Sequence, residues 1–276
     1  MSKGDGRHHH RARAGRSAVR IVVALILASF VIVRSAKRPQ EARSGDESAS
    51  AVATDSSRSA KYVPAVDEGL GAAVAIMLDN SGSMNEKAGN DSRPKFRVAR
   101  QALEEMLAST DSFTARQPGF PIKVGLYYFS SRVRELVPVQ PYDAAALRTA
   151  LETMPNPTGG TAIGDAMDAA REALYKSGTI RKYLLVLTDG ENTDGREPRD
   201  VAQEIARRSE GAVRMYFVAF DIDAKKFSFL RDVRGEVLGA GNAVALRASL
   251  DTIYRGRILA EALDAGESLP PSTKKP

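Results

Sequence analysis

Three short polar clusters carry the residues best able to do chemistry in this chain. The first is Asp79-Asn80-Ser81-Gly82-Ser83-Met84, the second Gly159-Gly160-Thr161-Ala162-Ile163-Gly164, and the third Thr188-Asp189-Gly190. Alone, each has an ordinary explanation. Asp and Ser cap loop amides and helix starts, Thr161 could be an N-cap, and Asp-Gly after a strand is a common turn. Together, Asp79, Ser81, Ser83, Thr161 and Asp189 offer two carboxylates and three hydroxyls. An all-oxygen set of this kind suits a hard divalent cation such as Mg2+, Mn2+ or Ca2+. With so few anionic donors the cation would keep residual positive charge and an open or water-filled position, expected near Asn80 and Gly160. A carboxylate from another molecule could complete its shell.

For these clusters to meet, the chain must bring three loops to one place, and its apolar pattern provides for that. Runs at Ala73–Leu78, Tyr183–Leu187 and Arg214–Phe220 are continuously apolar or nearly so, as in strands buried on both faces. Ile122–Phe129 and Val133–Val137 read as strands joined by the short Ser130-Ser131-Arg132 link, hence an antiparallel pair at one edge. Amphipathic helices are expected over Lys95–Leu107, Asp143–Met154, Ile163–Lys176 and Asp200–Arg208. A short helix near Lys225–Arg231, a strand at Glu236–Leu238 and a last helix with Leu246, Leu250 and Ile253 complete the series. This alternation predicts an α/β fold: a doubly wound, mainly parallel Rossmann-like sheet with one antiparallel edge strand. In such sheets ligands bind at the carboxyl ends of the strands, where the first and third clusters fall.

Composition narrows the chemistry further. The chain of 276 residues has no cysteine and no tryptophan, which excludes thiolate metal sites, disulfides and cysteine nucleophiles. Its three histidines are His8, His9 and His10, in a basic N-terminal stretch, so none is left in the expected domain as a general base or imidazole ligand. There is no GK[ST] phosphate loop and no G-x-S-x-G. A phosphohydrolase with Asp79 as nucleophile would want a second carboxylate two positions on, where Ser81 stands. The chain is therefore expected not to be an enzyme.

The formal charge of +6 belongs to the N-terminal region, because residues 70–264 nearly balance, at about 26 bases against about 26 acids. No basic face for nucleic acid is apparent. Residues 1–17 read as a basic disordered tail and residues 18–34 as a signal anchor or short transmembrane helix around the apolar run Ile21–Val33. Arg20 and Arg34 bracket that run and can snorkel. Bases ahead of it outnumber those just after, which leaves the N-terminus cytoplasmic and the domain extracytoplasmic; secretion after cleavage is the alternative. Residues 35–68 read as a disordered linker, 69–264 as the domain and 265–276 as a disordered tail.

Asp79-x-Ser81-x-Ser83, Thr161 and Asp189, in this order and strand context, resemble the metal ion-dependent adhesion site of the von Willebrand factor type A family. The resemblance spans roughly Gly71 to Leu263. It implies a Rossmann-like domain, a Mg2+-type cation held by Asp79, Ser81 and Ser83 with Thr161 and Asp189 bound directly or through water, and a protein partner donating an acidic side chain. It also implies a metal-dependent interaction module, with an adaptor for an ATP-driven assembly or chelatase complex as the alternative. Asp221 and Asp223 read as a solvated loop rather than further ligands, and Asp165 and Asp168 as favouring a helix dipole.

Overall fold

The computed structural model describes residues 69–262. The expected tail 1–17, anchor 18–34, linker 35–68 and tail 265–276 lie outside the described residues. Among the described residues no helix is long and apolar enough to cross a membrane.

Six strands form one sheet: β1 (Gly69–Asp79), β2 (Ile122–Phe129), β3 (Val133–Pro141), β4 (Thr179–Thr188), β5 (Val213–Phe220) and β6 (Glu236–Ala240), in the order β3-β2-β1-β4-β5-β6. Every pair is parallel except β2 with β3. The short link between those two strands dictates the exception, since only antiparallel neighbours can be joined so tightly. The expected doubly wound sheet with one antiparallel edge strand is thus the observed one.

Helices α1 (Lys95–Arg116), α2 (Ala144–Thr153), α3 (Ile163–Tyr175), α4 (Pro198–Arg208) and α5 (Ala243–Ile253) cover the sheet. Strand β1 explains the two layers, because successive side chains point to opposite faces. Ala72, Val74, Ile76 and Leu78 pack with residues of α1, α2 and α5, while Ala73, Ala75 and Met77 pack with α3 and α4. Both faces of β1 are buried, hence its nearly unbroken apolar sequence.

Several elements run longer than the sequence predicts, β1, β3 and β6 by a few residues, and α1 and β4 with a clear physical reason. Helix α1 continues to Arg116 rather than ending near Leu107, because Thr110 and Phe113 carry its buried stripe onward and the Thr110 hydroxyl lies 2.7 Å from the Tyr254 hydroxyl. Strand β4 begins at Thr179 instead of Tyr183, through a polar segment in which Lys182 is nonetheless buried. After α5 the chain widens into a π-helical turn at Tyr254–Leu259 that places Tyr254, Ile258 and Leu259 in the core.

The strand order reverses between β1 and β4. Their following helices, α1 and α4, belong to opposite layers, so the loops leaving β1 and β4 diverge and open a crevice at the carboxyl end of the sheet.

Candidate functional site

Asp79 ends β1 and is fully buried. Its Oδ1 accepts the Ser81 backbone N–H at 2.8 Å, and its Oδ2 accepts the Thr188 hydroxyl at 2.6 Å. The first bond curls the chain sharply, so Ser81 and Ser83 come to the same side with their hydroxyls 3.1 Å apart. The Ser83 hydroxyl donates to Asp189 Oδ1 at 2.8 Å. A Cβ built on Gly190 would stand 3.4 Å from Thr161 Oγ1 and 3.9 Å from Ser83 Oγ, so the Thr161 hydroxyl borders the same small space. The structure therefore brings all five residues singled out by sequence to one locus, where β1 and β4 end.

The Thr161 loop is held by its neighbours on both sides. From the β2–β3 turn, Ser131 Oγ accepts the Gly160 N–H at 2.8 Å and the Ser130 carbonyl accepts the Ala162 N–H at 2.8 Å. From the loop after β4, Thr193 Oγ1 accepts the Thr161 N–H at 2.8 Å, and the Thr193 N–H returns a bond to the Thr161 carbonyl at 2.9 Å. Thr161 is not an N-cap. The N-cap of α3 is Ala162, without a side-chain bond, and Asn192 Oδ1 supplies the missing acceptor from across the crevice, 2.8 Å from the Ile163 N–H. Gly164 lets this loop close down, since a Cβ there would collide with the Arg196 carbonyl.

Asp165 and Asp168, expected to favour a helix dipole, have more specific partners. Asp165 lies in the first turn of α3 and its Oδ1 accepts the Arg196 N–H at 2.9 Å. Asp168 pairs with Arg171 at 2.7 Å and with Arg196 at 3.1 Å. Of the two residues expected to border an open position, Gly160 is partly exposed, whereas Asn80 is buried. The Asn80 amide donates to the Pro155 carbonyl at 3.3 Å, and its buried Oδ1 has no hydrogen-bond partner among the described residues.

The electrostatics show an incomplete balance. Burial pushes the Asp79 carboxyl up to about 6; bonds from Thr188 and Ser81 oppose this, and the nearby Asp189 charge adds to it. Burial also raises Asp189, against the Ser83 and Lys95 donors. Both carboxylates would be favoured in ionised form by a cation beside them. Among the described residues no three His, Cys, Asp or Glu side chains are grouped for a metal. The donor set is thus two carboxylates and hydroxyls, a low-charge oxygen set that suits a hard cation and leaves its charge partly uncancelled.

Sequence reasoning missed Lys95. This first residue of α1 is only 4% exposed. Its ammonium lies 3.1 Å from Asp189 Oδ2, 3.3 Å from Glu86 Oε2 and 3.3 Å from Asp221 Oδ2. Burial works against its charge, but the surrounding carboxylates outweigh that and hold it above its usual value. A signal was present: a lysine opening a helix whose first turn has no acid sits at the wrong end of the dipole and needs a dedicated partner. Asp221 is accordingly tied to the site through Lys95, more than the solvated loop expected, and it adopts a left-handed φ of 58°. Asp223 caps the following 3-10 segment by accepting the Lys225 N–H at 2.9 Å.

Known proteins with this architecture extend the comparison. The chain is 27% identical over 141 residues to the uncharacterized protein YwmC of Bacillus subtilis (strain 168), covering 49% of this chain and 61% of that protein. It therefore spans about three fifths of that relative's length. The PilB minor pilin from Streptococcus sanguinis superposes with a TM-score of 0.60 at 17% identity, over 74% of this chain and 64% of the pilin. Proximal thread matrix protein 1 from the mussel byssus, with a zinc-occupied adhesion-site motif, gives 0.51 at 19% identity, over 72% of this chain and 48% of that protein. These likenesses show the fold. The profile of the von Willebrand factor type A domain matches residues 73–238, more than half of the chain, and the chain belongs to that family.

Proposed function

We propose that this chain is a metal-dependent protein-binding module. In this reading Asp79, Ser81 and Ser83 hold a divalent cation, Thr161 and Asp189 bind it directly or through water, and an acidic side chain from the partner completes the shell. The cation would supply Lewis-acidic charge for gripping that carboxylate. The chain's own contribution is to fix the donors: Asp79 by Thr188 and Ser81, Ser83 by Asp189, and Thr161 by the Ser130, Ser131 and Thr193 contacts.

The observation that carries this reading is the meeting of five oxygen donors, only two of them anionic, at the reversal point of the sheet. The hard oxygen donors admit Mg2+, Mn2+ and Ca2+, with Mg2+ placed first by the family resemblance. The zinc-occupied motif of the mussel protein supports a divalent ion without choosing among them. Among the described residues the donor set has no neighbouring histidine, and this supports a binding role over acid–base catalysis.

The reading extends to display from a membrane, on the apolar run Ile21–Val33 and its basic flanks. The described chain enters at Gly69, and the site lies at Asp79, the far end of the same 11-residue strand. An anchor at residues 18–34 would hold the domain on the extracytoplasmic side. Alkaline phosphatase fused after Pro276, which is active only once exported, should then be active; an inactive fusion would place the domain in the cytoplasm.

Partner chemistry is tested with the immobilised full chain and short peptides differing only in Glu or Asp against Gln or Asn. Retention of the acidic peptides in Mg2+, lost in EDTA and in Asp79→Ala, is the expected pattern. Equal retention in EDTA would reject a metal-dependent grip.

A further inference from the structure

Lys95 occupies a place that ordinary helix energetics disfavour. It opens α1, where the unsatisfied N–H groups already carry partial positive charge, and it is buried there. The chain reaches this placement by a deliberate local path. Glu86 N–H donates to the Ser83 carbonyl at 2.9 Å, Lys87 bridges to Pro94, and Lys95 N–H donates to the Glu86 carbonyl at 2.8 Å. The segment from Glu86 to Pro94 thus loops out and returns, delivering the ammonium beneath Ser83 and between three carboxylates on three separate segments.

Those carboxylates differ in what they would lose without it. Glu86 is 70% exposed and can be hydrated, and Asp221 is 32% exposed. Asp189 has a fully buried side chain, and besides Lys95 the Ser83 hydroxyl is its side-chain donor. Removing the ammonium would leave a buried carboxylate with one neutral hydrogen bond, a costly state in a low-dielectric place. The same carboxylate, through its other oxygen and Ser83, borders the proposed cation site. Two positive centres would then share one acid.

We infer that Lys95 is a resident cation that holds the site assembled when no metal is present and, by its charge, weakens divalent-ion binding there. This rests on the metal-binding reading above. Charge repulsion and the relief of a destabilised metal-free state act in the same direction. A neutral side chain at 95 therefore costs stability without metal and tightens metal binding. A role in merely orienting Asp189 has the opposite sign, because a misplaced Asp189 would bind metal less well.

The experiment uses the full chain, stripped with EDTA and titrated calorimetrically with Mg2+ alone and Mn2+ alone. Lys95→Met removes charge and donor, Lys95→Gln keeps a donor without charge, and Asp79→Ala serves as the metal-blind control. Both lysine variants should melt below the parent in EDTA and bind metal at least tenfold more tightly, a change of about 1.4 kcal/mol. A variant that is unfolded in EDTA is compared with the parent in a stabilising osmolyte that keeps both folded, where the same tenfold tightening is expected. Parent binding with equal or weaker binding by the variants would overturn the role of Lys95 and leave the metal site standing. A variant unfolded even in Mg2+ would make Lys95 structural only, which also overturns it. No binding by the parent or by either variant would remove the metal reading, and this inference with it.

Discussion

Near the end of the sheet where the parallel strands begin, Tyr183 donates to Glu261 Oε2 at 2.8 Å, Arg214 pairs with the other oxygen of that carboxylate, and Lys123 donates to the Ser177 carbonyl at 2.7 Å. At the end where the strands finish, Asp79 is satisfied by a hydroxyl and an amide alone, and one ammonium is shared among Asp189, Glu86 and Asp221. Both ends bury polar groups against the same core. The first gives its carboxylate, Glu261, an arginine of its own; the second gathers carboxylates in excess of cations and is open to a further one. The difference supports the second end as the proposed binding site, because a fold gains nothing in stability from buried carboxylates left short of positive charge.

The sharpest way to break the comparison is Asp79→Ala. In the parent, a metal that binds only the folded state should add about 2.7 kcal/mol at a hundredfold excess over Kd. In the variant this gain should vanish, as read by calorimetric melting with Mg2+ and with EDTA. Asn192→Ala comes next. It removes the acceptor that caps α3 from across the crevice, and should cost about 1 kcal/mol in denaturant unfolding. Metal affinity should fall with it, because the Thr161 loop loses one of its supports.

Tyr183→Phe probes the first end. Glu261 keeps Arg214, so the loss should be about 0.5–1 kcal/mol and identical with and without Mg2+. A metal-dependent effect there would erase the distinction between the two ends. The smallest effect is expected for Glu204→Gln. Arg196 holds the Glu204 carboxyl below its usual range, but the guanidinium is 43% exposed and screened, so the pair contributes under about 1 kcal/mol. A depressed carboxyl contributes above its unfolded value and loses that contribution as pH falls through the folded one. Parent and variant should therefore differ at pH 7 and converge in acid, as followed by urea unfolding across pH.

Much of this was legible in the sequence, and what was not has a physical reason. Continuous apolar runs marked β1, β4 and β5, because strands covered on both faces must be apolar throughout. The Ser130-Ser131-Arg132 link gave away the antiparallel edge. Asp79, Ser81, Ser83 and Asp189 stood out as polar clusters where strands end and Thr161 as one where a helix starts, and the structure assembles them. Residues that act through long-range contacts were silent: Asn192 capping a helix 29 residues away, Thr188 bonding Asp79, and Asp221 meeting Lys95. No local pattern records such partnerships. The length of α1 was underestimated: the apolar stripe was followed only to Leu107, whereas Thr110 is buried against Tyr254 and Phe113 carries the stripe on. Lys95 left a trace only in its disfavoured position at a helix start.

The central claim, that the open end of the sheet holds a divalent cation, is tested most directly by melting the full chain in EDTA and across millimolar Mg2+, with Asp79→Ala in parallel. The expected result is a rise in melting temperature for the parent that saturates with Mg2+ and is absent in the variant. Parent and variant that respond to Mg2+ identically, or not at all, would contradict it.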